Sequence, residues 1–484
     1  MKLRELLNGL DILETNADME ADVHEVQYDS RLVGPGDLFI AVTGAETDGH
    51  KYIPMAREKG AACVLCERAP EDGAPFVRVA DSRRALAVVG GNRFDHPARE
   101  MTMIGITGTS GKTTSTYLIK SILEQKAGAK VGLIGTIQNM IGDRVLHTER
   151  TTPESFALQK LLREMSDAGC THVVMEVSSH ALMLDRVYGI PFAVGIYTNL
   201  SRDHLDFHKT MEAYCDAKAL LMQQCDVGIY NTDDPWAQRL MAHAACRRRF
   251  SYAVNGQADL MAKNVALEPG SVDFDAEADT EWCHVHVGIP ALFTVYNTLD
   301  AMACCWNLGV PLAECADALA KNHGVKGRME IIPTPGTGYT VLNDYAHKPD
   351  ALEKVLQSAK AFAKGRVVAL FGCGGDRDKT KRPVMGEISA RLADFVIVTS
   401  DNPRTEKPEA IIDDILVGLK GYDTPYAVIP DRVAAIHYAM DHAQPGDVIV
   451  LAGKGHEDYQ EIDHKHYPMD ERVIVAEHLK ETQK

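Results

Sequence analysis

Long apolar runs and an excess of positive charge are both absent from this sequence. No stretch approaches the roughly 20 apolar residues that span a bilayer, and the opening residues 1–7 have no long apolar core, so we expect neither a membrane span nor a secretory signal. Lys plus Arg total 51 against 68 for Asp plus Glu, which gives a formal net charge of −17. Such a surface disfavours a general binder of nucleic acid or anionic membranes, whereas a local basic pocket for a small anion stays open.

Paired cysteine motifs are scarce as well. The 11 cysteines are an odd number, which, without a signal peptide, favours reduced thiols in the cytoplasm. The only CxxC pair, Cys63 and Cys66, falls in an apolar run typical of a strand. Because residues i and i+3 of a strand point to opposite faces, we expect two buried core thiols rather than a zinc site.

Three domains are expected from the length of the chain and from two breaks in its sequence pattern. At roughly 100–200 residues per domain, its 484 residues suggest about three. Breaks after Pro97 and in the Pro- and Gly-rich stretch 328–335 give domains 1–98, 99–330 and 331–484. From the first break onward apolar runs alternate with helical patterns, which predicts an α/β fold with mostly parallel sheets.

Local patterns predict single strands and one capped helix. We expect a helix with Thr152 as its N-cap, Pro153 in its first turn and Gly169 just beyond its last turn. Strands are predicted for the apolar runs 38–42, 101–106, 172–175, 192–197, 341–342, 367–371, 395–398 and 448–451.

A glycine-rich loop between a strand and a helix is the most specific motif. It reads Gly108-Thr109-Ser110-Gly111-Lys112-Thr113-Thr114. Backbone N–H groups of such a loop wrap phosphates at a helix N-terminus, while the lysine supplies a charge to the β- and γ-phosphates and Thr113 a hydroxyl to Mg²⁺. Ile106 stands where the usual Walker pattern has its first glycine, so the loop is tighter than in motor and switch NTPases. The alternative is a plain glycine-rich turn with a chance lysine.

Polar motifs follow the next two predicted strands. Glu176 ends one strand with a carboxylate suited to Mg²⁺, and His204 lies after the other. Each has a simpler interpretation, as an ion-pair partner and as a capping or core histidine. His204 and His208 have i,i+4 spacing, but without an HExxH motif we expect no zinc pair.

Four predicted strands beyond residue 335 each run into a polar or glycine-rich motif. Ligands of open parallel sheets bind beyond the carboxyl ends of the strands, so these motifs predict a small-molecule site. The motifs are 343–347, 372–377, 400–404 and 453–457.

Ten motifs, in order from about Ser30 to Glu457, closely resemble those of the Mur ligase family. They are GTSGKTT, MEVSSHAL, TNLSRDHLDFH, YCDAK, YNTLDA, GRME, DYAHKPDAL, GCGGDRDKTKRP, SDNPRTE and AGKGHEDYQ. The resemblance implies an N-terminal α/β domain for a UDP-sugar, a central P-loop ATPase with a mostly parallel sheet, and a Rossmann-like C-terminal domain for an amino acid.

The resemblance also implies a reaction of peptidoglycan precursor synthesis. The motifs are most similar to those of members that add meso-2,6-diaminopimelate to UDP-N-acetylmuramoyl-L-alanyl-D-glutamate. With Mg²⁺, ATP would phosphorylate the D-glutamate carboxylate, and the diaminopimelate amine would attack the acyl phosphate. Such chemistry needs positioning and charge neutralisation more than a covalent nucleophile. We expect a cytoplasmic monomer that binds small molecules and neither nucleic acid nor membrane.

Individual roles follow from the same resemblance. Gly108 to Thr114 would hold ATP, with Asn297 on its adenine side, Arg328 on its phosphate side and Asp344 on its ribose side. Lys218 matches a lysine that is carbamylated in the family, although its own position indicates a solvated helix lysine. Lys112, Glu176, His204 and Lys218 would carry catalysis, and Thr113, Glu176, His204 and the Lys218 carbamate would hold Mg²⁺.

Two further sets of residues match substrate positions. The UDP-muramoyl dipeptide would contact Ser30, Thr151, Thr152, Ser178 and Arg186, and Leu184 stands where some members have a glutamine. Diaminopimelate would contact Arg377, Asp401, Asn402, Pro403, Arg404, Gly453 and Glu457. Arg404 can pair with the distal carboxylate that lysine lacks; the alternative is a turn with a solvent-facing arginine.

Two other functions stay open at this point. A folylpolyglutamate-type ligase shares the phosphate loop and the lysine carbamate, but the N-terminal domain and the Asp-Asn-Pro-Arg motif disfavour it. A P-loop switch or binding protein would use slow ATP hydrolysis only to change conformation, and it would not need an amino acid to release phosphate.

Overall fold

Two units make up the chain. The computed structural model describes residues 1–44, 47–268, 270–279, 281–322 and 324–482. One unit comprises Met1–Asp259 and Asp300–Val310, and the other comprises Leu260–Leu299 and Pro311–Lys484. No helix in the described part of the chain is long and apolar enough to cross a membrane.

The first unit contains a small sheet and a larger one. Its strands are β1 Ile12–Thr15, β2 Val26–Gln27, β3 Leu38–Ile40, β4 Cys63–Cys66, β5 Phe76–Val79, β6 Thr102–Thr107, β7 Val131–Ile134, β8 Asn139–Ile141, β9 Arg144–Leu146, β10 His172–Glu176, β11 Phe192–Tyr197, β12 Cys225–Asn231 and β13 Arg248–Ala253. Its α-helices are α1 Leu3–Leu6, α2 Ile53–Glu58, α3 Ser82–Arg93, α4 Lys112–Lys126, α5 Ser155–Asp167, α6 Ser179–Met183, α7 Leu205–His208, α8 Met211–Ala219 and α9 Ala237–Ala242. Short 3₁₀ turns cover Gly49–Tyr52, Pro97–Arg99 and Leu220–Gln223.

The small sheet has the strand order β1-β5-β4-β3-β2, and β1 alone runs antiparallel to its neighbour. Apolar side chains cover both of its faces. Cys63 packs in the cluster with Leu3 and Leu86, whereas Cys66 packs in the cluster with Phe39 on the other face. All 11 cysteines are free thiols, which confirms the prediction of buried core thiols.

The larger sheet of this unit carries the glycine-rich loop. Strands β13-β12-β11-β6-β10-β7 are parallel neighbours, and β8 and β9 extend the sheet as an antiparallel edge. Glu176 lies opposite Ile106, and Tyr197 lies opposite Thr107. The carboxyl ends of three adjacent strands, β10, β6 and β11, therefore meet at one edge, and the loop 108–111 begins there.

Helix α4 follows this loop and packs against the sheet through an apolar stripe. Leu118, Ile119, Ile122 and Leu123 are buried, as their i, i+1, i+4 and i+5 spacing predicts. The predicted start of α5 is wrong by two residues: Glu154, not Thr152, is its N-cap. The Thr152 hydroxyl instead donates to the carbonyl oxygen of Glu176 at 2.8 Å. Gly169 follows the last turn with φ 82°, as predicted.

The second unit contains an antiparallel ribbon, a mostly parallel sheet and a hairpin. Its strands are β14 Leu260–Glu268, β15 Ser271–Ala278, β16 Trp282–Val287, β17 Glu330–Ile332, β18 Thr340–Asp344, β19 Val367–Phe371, β20 Phe395–Val398, β21 Tyr426–Val428, β22 Val448–Ala452, β23 Tyr459–Ile462 and β24 Lys465–Pro468. Its helices are α10 Leu292–Asn307, whose last residues belong to the first unit, α11 Leu312–Ala320, α12 Pro349–Phe362, α13 Lys381–Leu392, α14 Pro408–Leu419, α15 Arg432–Asp441 and α16 Glu471–Thr482.

The parallel sheet of this unit aligns the four motifs predicted to form a small-molecule site. Its order is β17-β18-β22-β19-β20-β21, and only β17 is antiparallel. Ala452 lies opposite both Asp344 and Phe371, and Phe371 lies opposite Val398. The loops after β18, β22, β19 and β20 therefore leave the same edge of the sheet.

A buried arginine ties two of these strand ends together. Arg432 and Glu471 form an ion pair of 2.8 Å with side chains 0% and 1% exposed. The same guanidinium donates to the carbonyl oxygens of Ala452 at 2.9 Å and Ser400 at 3.4 Å. A buried charge is costly without a partner. The Arg432 guanidinium and its acceptors therefore hold the ends of β20 and β22 in place relative to each other.

We expect Arg432→Ala to destabilise the second unit by about 3–5 kcal/mol, because it leaves the Glu471 carboxylate buried without its counter-ion. Urea unfolding followed by circular dichroism measures the change. The double variant Arg432→Met, Glu471→Leu removes both charges and should lose less. If the single variant is as stable as the wild type, the pair does not hold these strand ends.

Candidate functional site

The glycine-rich loop is braced by the segment that follows β11. The N–H groups of Thr109 and Ser110 donate to the main-chain and side-chain oxygens of Asn199, at 2.9 and 3.0 Å. The Thr198 hydroxyl donates to the carbonyl oxygen of Ser110 at 2.7 Å. The loop is therefore held in shape by hydrogen bonds within its own unit.

Two glycines allow this close packing. Gly108 has φ 154°, and a Cβ atom there would lie 1.8 Å from the Thr198 hydroxyl oxygen. Gly111, with φ 90°, is the N-cap of α4. The first N–H groups of a helix have no acceptor within it, and together with the helix dipole they attract an anion.

Lys112 places its ammonium over the same loop. Its Nζ atom donates to the carbonyl oxygens of Gly108 at 2.9 Å and Thr109 at 3.1 Å. The cation thus lies beside the N-terminus of α4, where a phosphate group attracted by the helix would meet it.

The carboxylate of Glu176 connects α4 to the neighbouring strand ends. One of its oxygens accepts from the Thr113 hydroxyl and the Thr136 N–H, both at 2.9 Å, and the other accepts from the Thr136 hydroxyl at 3.0 Å. The structure therefore brings together two of the four predicted metal ligands, both of them hard oxygen donors.

This donor set fits Mg²⁺ only in part. Within the described ranges no group of three or more His, Cys, Asp or Glu side chains could hold a metal ion. Mg²⁺ in phosphate-transfer sites is usually bound by one or two carboxylates together with water and substrate phosphates. The Thr113 and Glu176 oxygens are consistent with such a site, and a carbamate on Lys218 would add oxygen donors.

Lys218 is buried on α8, so its interpretation as a solvated lysine is wrong. Its side chain is 1% exposed, and its Nζ atom lies 4.4 Å from the centre of the Tyr214 ring. Burial, followed by the nearby charge of Lys112, holds the pKa of this amine well below its usual value. A neutral amine is the form that adds CO₂ to give a carbamate, so the environment favours the predicted modification.

His204 is the N-cap residue of α7, as one of its simpler interpretations predicts, and its ring lies in a cluster of rings. Its ring centre is 4.8 Å from that of His180 and 6.2 Å from that of Tyr214, and its Nε2 atom is 3.3 Å from an oxygen of Asp203. His208, on the same helix turn, contacts the Ser179 hydroxyl at 2.8 Å. Burial lowers the pKa of His208 to about 4.

Four of the residues predicted for the UDP substrate form a connected group. The Thr151 and Thr136 hydroxyls are 3.1 Å apart, the Ser178 N–H donates to the Thr152 hydroxyl at 3.2 Å, and Arg186 donates to the Thr152 carbonyl oxygen at 3.2 Å. The fifth, Ser30, contacts the Met55 sulfur at 3.5 Å.

Sequence reasoning missed the carboxylate that faces this group. Glu154 lies 3.3 Å from Arg186, 3.8 Å from Arg150 and 3.9 Å from Arg83. Burial is the largest effect on Arg186 and lowers the pKa of its guanidinium. Three cations around one anion leave an excess of positive charge, which suits an anionic ligand. Of the three arginines, Arg186 is among the residues predicted for the UDP substrate, whereas Arg83 lies far from Glu154 in the sequence, so no local motif indicates that contact.

In the second unit a buried lysine organises two of the residues predicted for diaminopimelate. Lys454 donates to the Asn402 side-chain oxygen and to Glu457, both at 2.7 Å, and Asn402 donates to Glu457 at 2.9 Å. The Lys454 side chain is 0% exposed. Lys454 was not predicted as a site residue, although it lies within the AGKGHEDYQ motif.

Asp401 and Gly453 lie against each other at the same edge. Gly453 has φ 117°, and a Cβ atom there would lie 2.5 Å from an Asp401 carboxylate oxygen. The Asp401 side chain also accepts from the N–H of Asn402 at 2.6 Å. Arg377 is exposed and donates to the Asp376 carbonyl oxygen at 3.4 Å.

Arg404 is not a solvent-facing turn residue. Its guanidinium donates to the Gly375 carbonyl oxygen at 3.0 Å, and its Nε atom lies 2.8 Å from a carboxylate oxygen of Glu461. Pro403 and Arg404 also line a cavity of about 540 Å³, together with Arg432 and Gln460. The other residues predicted for diaminopimelate do not line this cavity, so it lies beside them.

The remaining predicted ATP residues belong to the second unit. Asn297 is buried on α10, and Asp344 is buried at the end of β18, where it accepts from the Met329 N–H at 2.8 Å. Burial raises the pKa of the Asp344 carboxyl. The Arg328 guanidinium lies 5.1 Å from the centre of the Tyr345 ring.

Comparison with known families matches most of the chain to one family. Residues 22–92 match "Mur ligase family, catalytic domain", residues 106–305 match "Mur ligase middle domain", and residues 327–455 match "Mur ligase, glutamate ligase domain". The three matches follow one another in the order expected from the motifs.

Individual proteins are similar over the full length. The chain is 46% identical to UDP-N-acetylmuramoyl-L-alanyl-D-glutamate–2,6-diaminopimelate ligase 1 of Clostridium acetobutylicum, over 99% of this chain and 100% of that protein. A solved structure of a UDP-N-acetylmuramoyl-L-alanyl-D-glutamate–2,6-diaminopimelate ligase has a TM-score of 0.75 and 31% identity, over 100% of this chain and 99% of that one. The MurF ligase of Thermotoga maritima in complex with ADP has a TM-score of 0.62 and 19% identity, over 95% and 97%, and shows the same fold.

We expect Gly108→Ala to weaken nucleoside triphosphate binding and lower turnover on the order of 10²-fold, because the added methyl displaces the loop from Thr198. Gly128→Ala is the matched control: Gly128 also has a positive φ of 60°, but a Cβ atom there meets nothing within 4 Å. Binding of a fluorescent ATP analogue and steady-state turnover measure both variants. Equal behaviour of the two would mean that the Gly108–Thr198 contact does not shape the site.

Proposed function

Because the chain belongs to the Mur ligase family, we propose that it joins 2,6-diaminopimelate to UDP-N-acetylmuramoyl-L-alanyl-D-glutamate in an ATP-dependent reaction of peptidoglycan precursor synthesis. The observation that carries this proposal is the full-length identity of 46% to a ligase of that name. The reaction places the protein in the cytoplasm, where the nucleotide precursors are found, and a monomer suffices for it. The domain boundaries 1–98, 99–330 and 331–484 are part of the same proposal.

In this proposal the glycine-rich loop holds the triphosphate of ATP. The N–H groups at the beginning of α4 bind phosphate oxygens, and Lys112 neutralises charge on the group in transfer. Asn297, Arg328 and Asp344 serve the adenine, a phosphate and the ribose, as the family resemblance implies. Rigid donors aimed at developing charge are the main source of rate in such a transfer.

Thr113, Glu176, His204 and a carbamate on Lys218 would hold Mg²⁺, which when bound supplies charge neutralisation at the phosphate oxygens. The Thr113 hydroxyl and the Glu176 carboxylate, 2.9 Å apart, support this assignment. The burial of Lys218 supports the carbamate, because burial holds the pKa of its amine well below the usual value and so favours the uncharged form that adds CO₂.

Bond formation then proceeds through an acyl phosphate. A carboxylate oxygen of D-glutamate attacks the γ-phosphorus atom, and ADP leaves. The uncharged amine of diaminopimelate attacks the acyl carbon, and the tetrahedral intermediate releases inorganic phosphate and a proton. Ser30, Thr151, Thr152, Ser178 and Arg186 position the nucleotide substrate, which fixes the carboxylate that reacts.

Diaminopimelate is selected by the residues at the edge of the second unit's sheet. Asp401, Asn402 and Glu457 supply acceptors suited to its ammonium groups, and Gly453 allows close approach of the backbone. Arg377 and Arg404 supply cations for its carboxylates, and Pro403 restricts the backbone directly before Arg404. Lysine has no distal carboxylate for Arg404, so it would leave that cation partly desolvated and unpaired.

The match of residues 22–92 favours this proposal over a folylpolyglutamate-type ligase. A P-loop switch would release phosphate without a second substrate. We therefore expect phosphate release only when both the nucleotide substrate and diaminopimelate are present, with a product that mass spectrometry identifies as the tripeptide.

The variant Arg404→Ala removes the cation for the distal carboxylate. In steady-state kinetics it should raise the KM for diaminopimelate by about tenfold or more and leave the KM for ATP nearly unchanged.

Two results would contradict this account. Phosphate release in the absence of diaminopimelate would favour a switch, and a wild type that prefers lysine would overturn the assignment of the amino acid.

We expect Lys218→Ala to lower turnover on the order of 10²–10³-fold, and short carboxylic acids to restore part of it by supplying the missing oxygens. Carbon-13 NMR of protein equilibrated with labelled bicarbonate should show a carbamate in the wild type and in Lys120→Ala, but not in Lys218→Ala. Lys120 is the matched control because it is buried but already pairs with Glu124 at 2.5 Å. An active wild type without the carbamate signal would refute the modification.

A further inference from the structure

The backbone holds Arg404 and Glu461 side by side. The N–H of Arg404 donates to the Glu461 carbonyl oxygen at 3.1 Å, and the Arg404 carbonyl oxygen accepts from Asp463 at 2.9 Å. The N–H of Glu461 donates to the Asn402 side-chain oxygen at 2.9 Å. Arg404 has φ 51°, an uncommon conformation for a residue other than glycine. Backbone hydrogen bonds therefore hold the two residues next to each other, in addition to the contact between their side chains.

Their side chains form a sheltered ion pair. The Arg404 Nε atom lies 2.8 Å from a Glu461 carboxylate oxygen, with side chains 17% and 18% exposed. An Nη1 donor is used by the Gly375 carbonyl oxygen. Since a guanidinium carries five N–H donors, these two contacts engage only part of its donor set. The pair can therefore accept a further carboxylate without first breaking apart.

The distal end of diaminopimelate carries an ammonium as well as a carboxylate. Arg404 alone would bind any amino-acid substrate whose distal end carries a carboxylate. Glu461 adds an anion within ion-pair distance of that guanidinium, beyond the acceptors that Asp401, Asn402 and Glu457 supply for the ammonium groups. A cation and an anion held side by side match the two charges of an amino-acid end.

We propose that Arg404 and Glu461 together recognise the distal zwitterionic end of the amino-acid substrate, with the guanidinium binding its carboxylate and the Glu461 carboxylate binding its ammonium. This inference rests on the proposed function and adds Glu461 as a specificity residue. A purely structural Glu461, which only holds Arg404 in place, predicts something different: its loss should weaken every substrate with a distal carboxylate to the same degree.

The test compares diaminopimelate with 2-aminopimelate, which keeps the distal carboxylate but lacks the distal amine. Steady-state kinetics on the full-length protein give kcat/KM for both. Glu461→Gln should reduce the preference for diaminopimelate over 2-aminopimelate by about tenfold or more, mainly through the KM for diaminopimelate. Glu461→Asp, which keeps the charge, should restore part of the preference.

Glu353→Gln is the control for the loss of an ion pair in the same unit. Glu353 lies on α12 and pairs with Arg391 at 2.7 Å, so its loss should leave the preference unchanged. Circular dichroism and thermal unfolding verify that each variant is folded, and the Glu461→Asp variant supplies the comparison if Glu461→Gln does not fold.

Equal losses for both amino acids in Glu461→Gln, or a preference that stays at the wild-type value, would overturn the inference and leave the proposed function intact. A wild type that forms no product with diaminopimelate would overturn the proposed function, and the inference with it. The two failures are therefore distinguishable.

Discussion

The Glu176 carboxylate is the contact on which the site of the first unit depends. It accepts from Thr113 at the beginning of α4 and from Thr136 after β7, while the carbonyl oxygen of the same residue accepts from Thr152. One residue at the end of β10 thus joins the phosphate loop to the group assigned to the nucleotide substrate. Parallel register makes this possible, because β10 and β11 flank β6 and end at the same level.

The charged side chains at the candidate sites of the two units are arranged differently. At the candidate site of the first unit, Lys112 crosses the loop and three arginines surround the Glu154 carboxylate. In the second unit the arrangement is balanced, since Lys454 is shared by Asn402 and Glu457 and Arg404 faces Glu461. An excess of cations suits phosphates and a nucleotide, whereas paired charges suit an amino acid that carries both signs.

Much of the fold could be predicted from the sequence, and the reasons are local. The run 192–197 became β11 with the predicted bounds, because a short apolar run that contains Phe, Val, Ile and Tyr favours a buried strand. Thr152 shows the limit: its residue type favours an N-cap, but its hydroxyl bonds to a strand 24 positions away. Lys218 shows a second limit of prediction from the sequence, since no pattern in α8 distinguishes a solvated lysine from a buried one. Glu154, Lys454 and Glu461 depend on contacts between distant segments, which spacing alone does not reveal.

The central claim is that the chain makes an amide by first transferring a phosphoryl group to a carboxylate. Oxygen-18 placed in the reacting D-glutamate carboxylate of the nucleotide substrate tests it most directly. Transfer through an acyl phosphate moves one labelled oxygen into each inorganic phosphate released, which mass spectrometry detects. Phosphate without the label, formed in step with the amide product, would contradict the account.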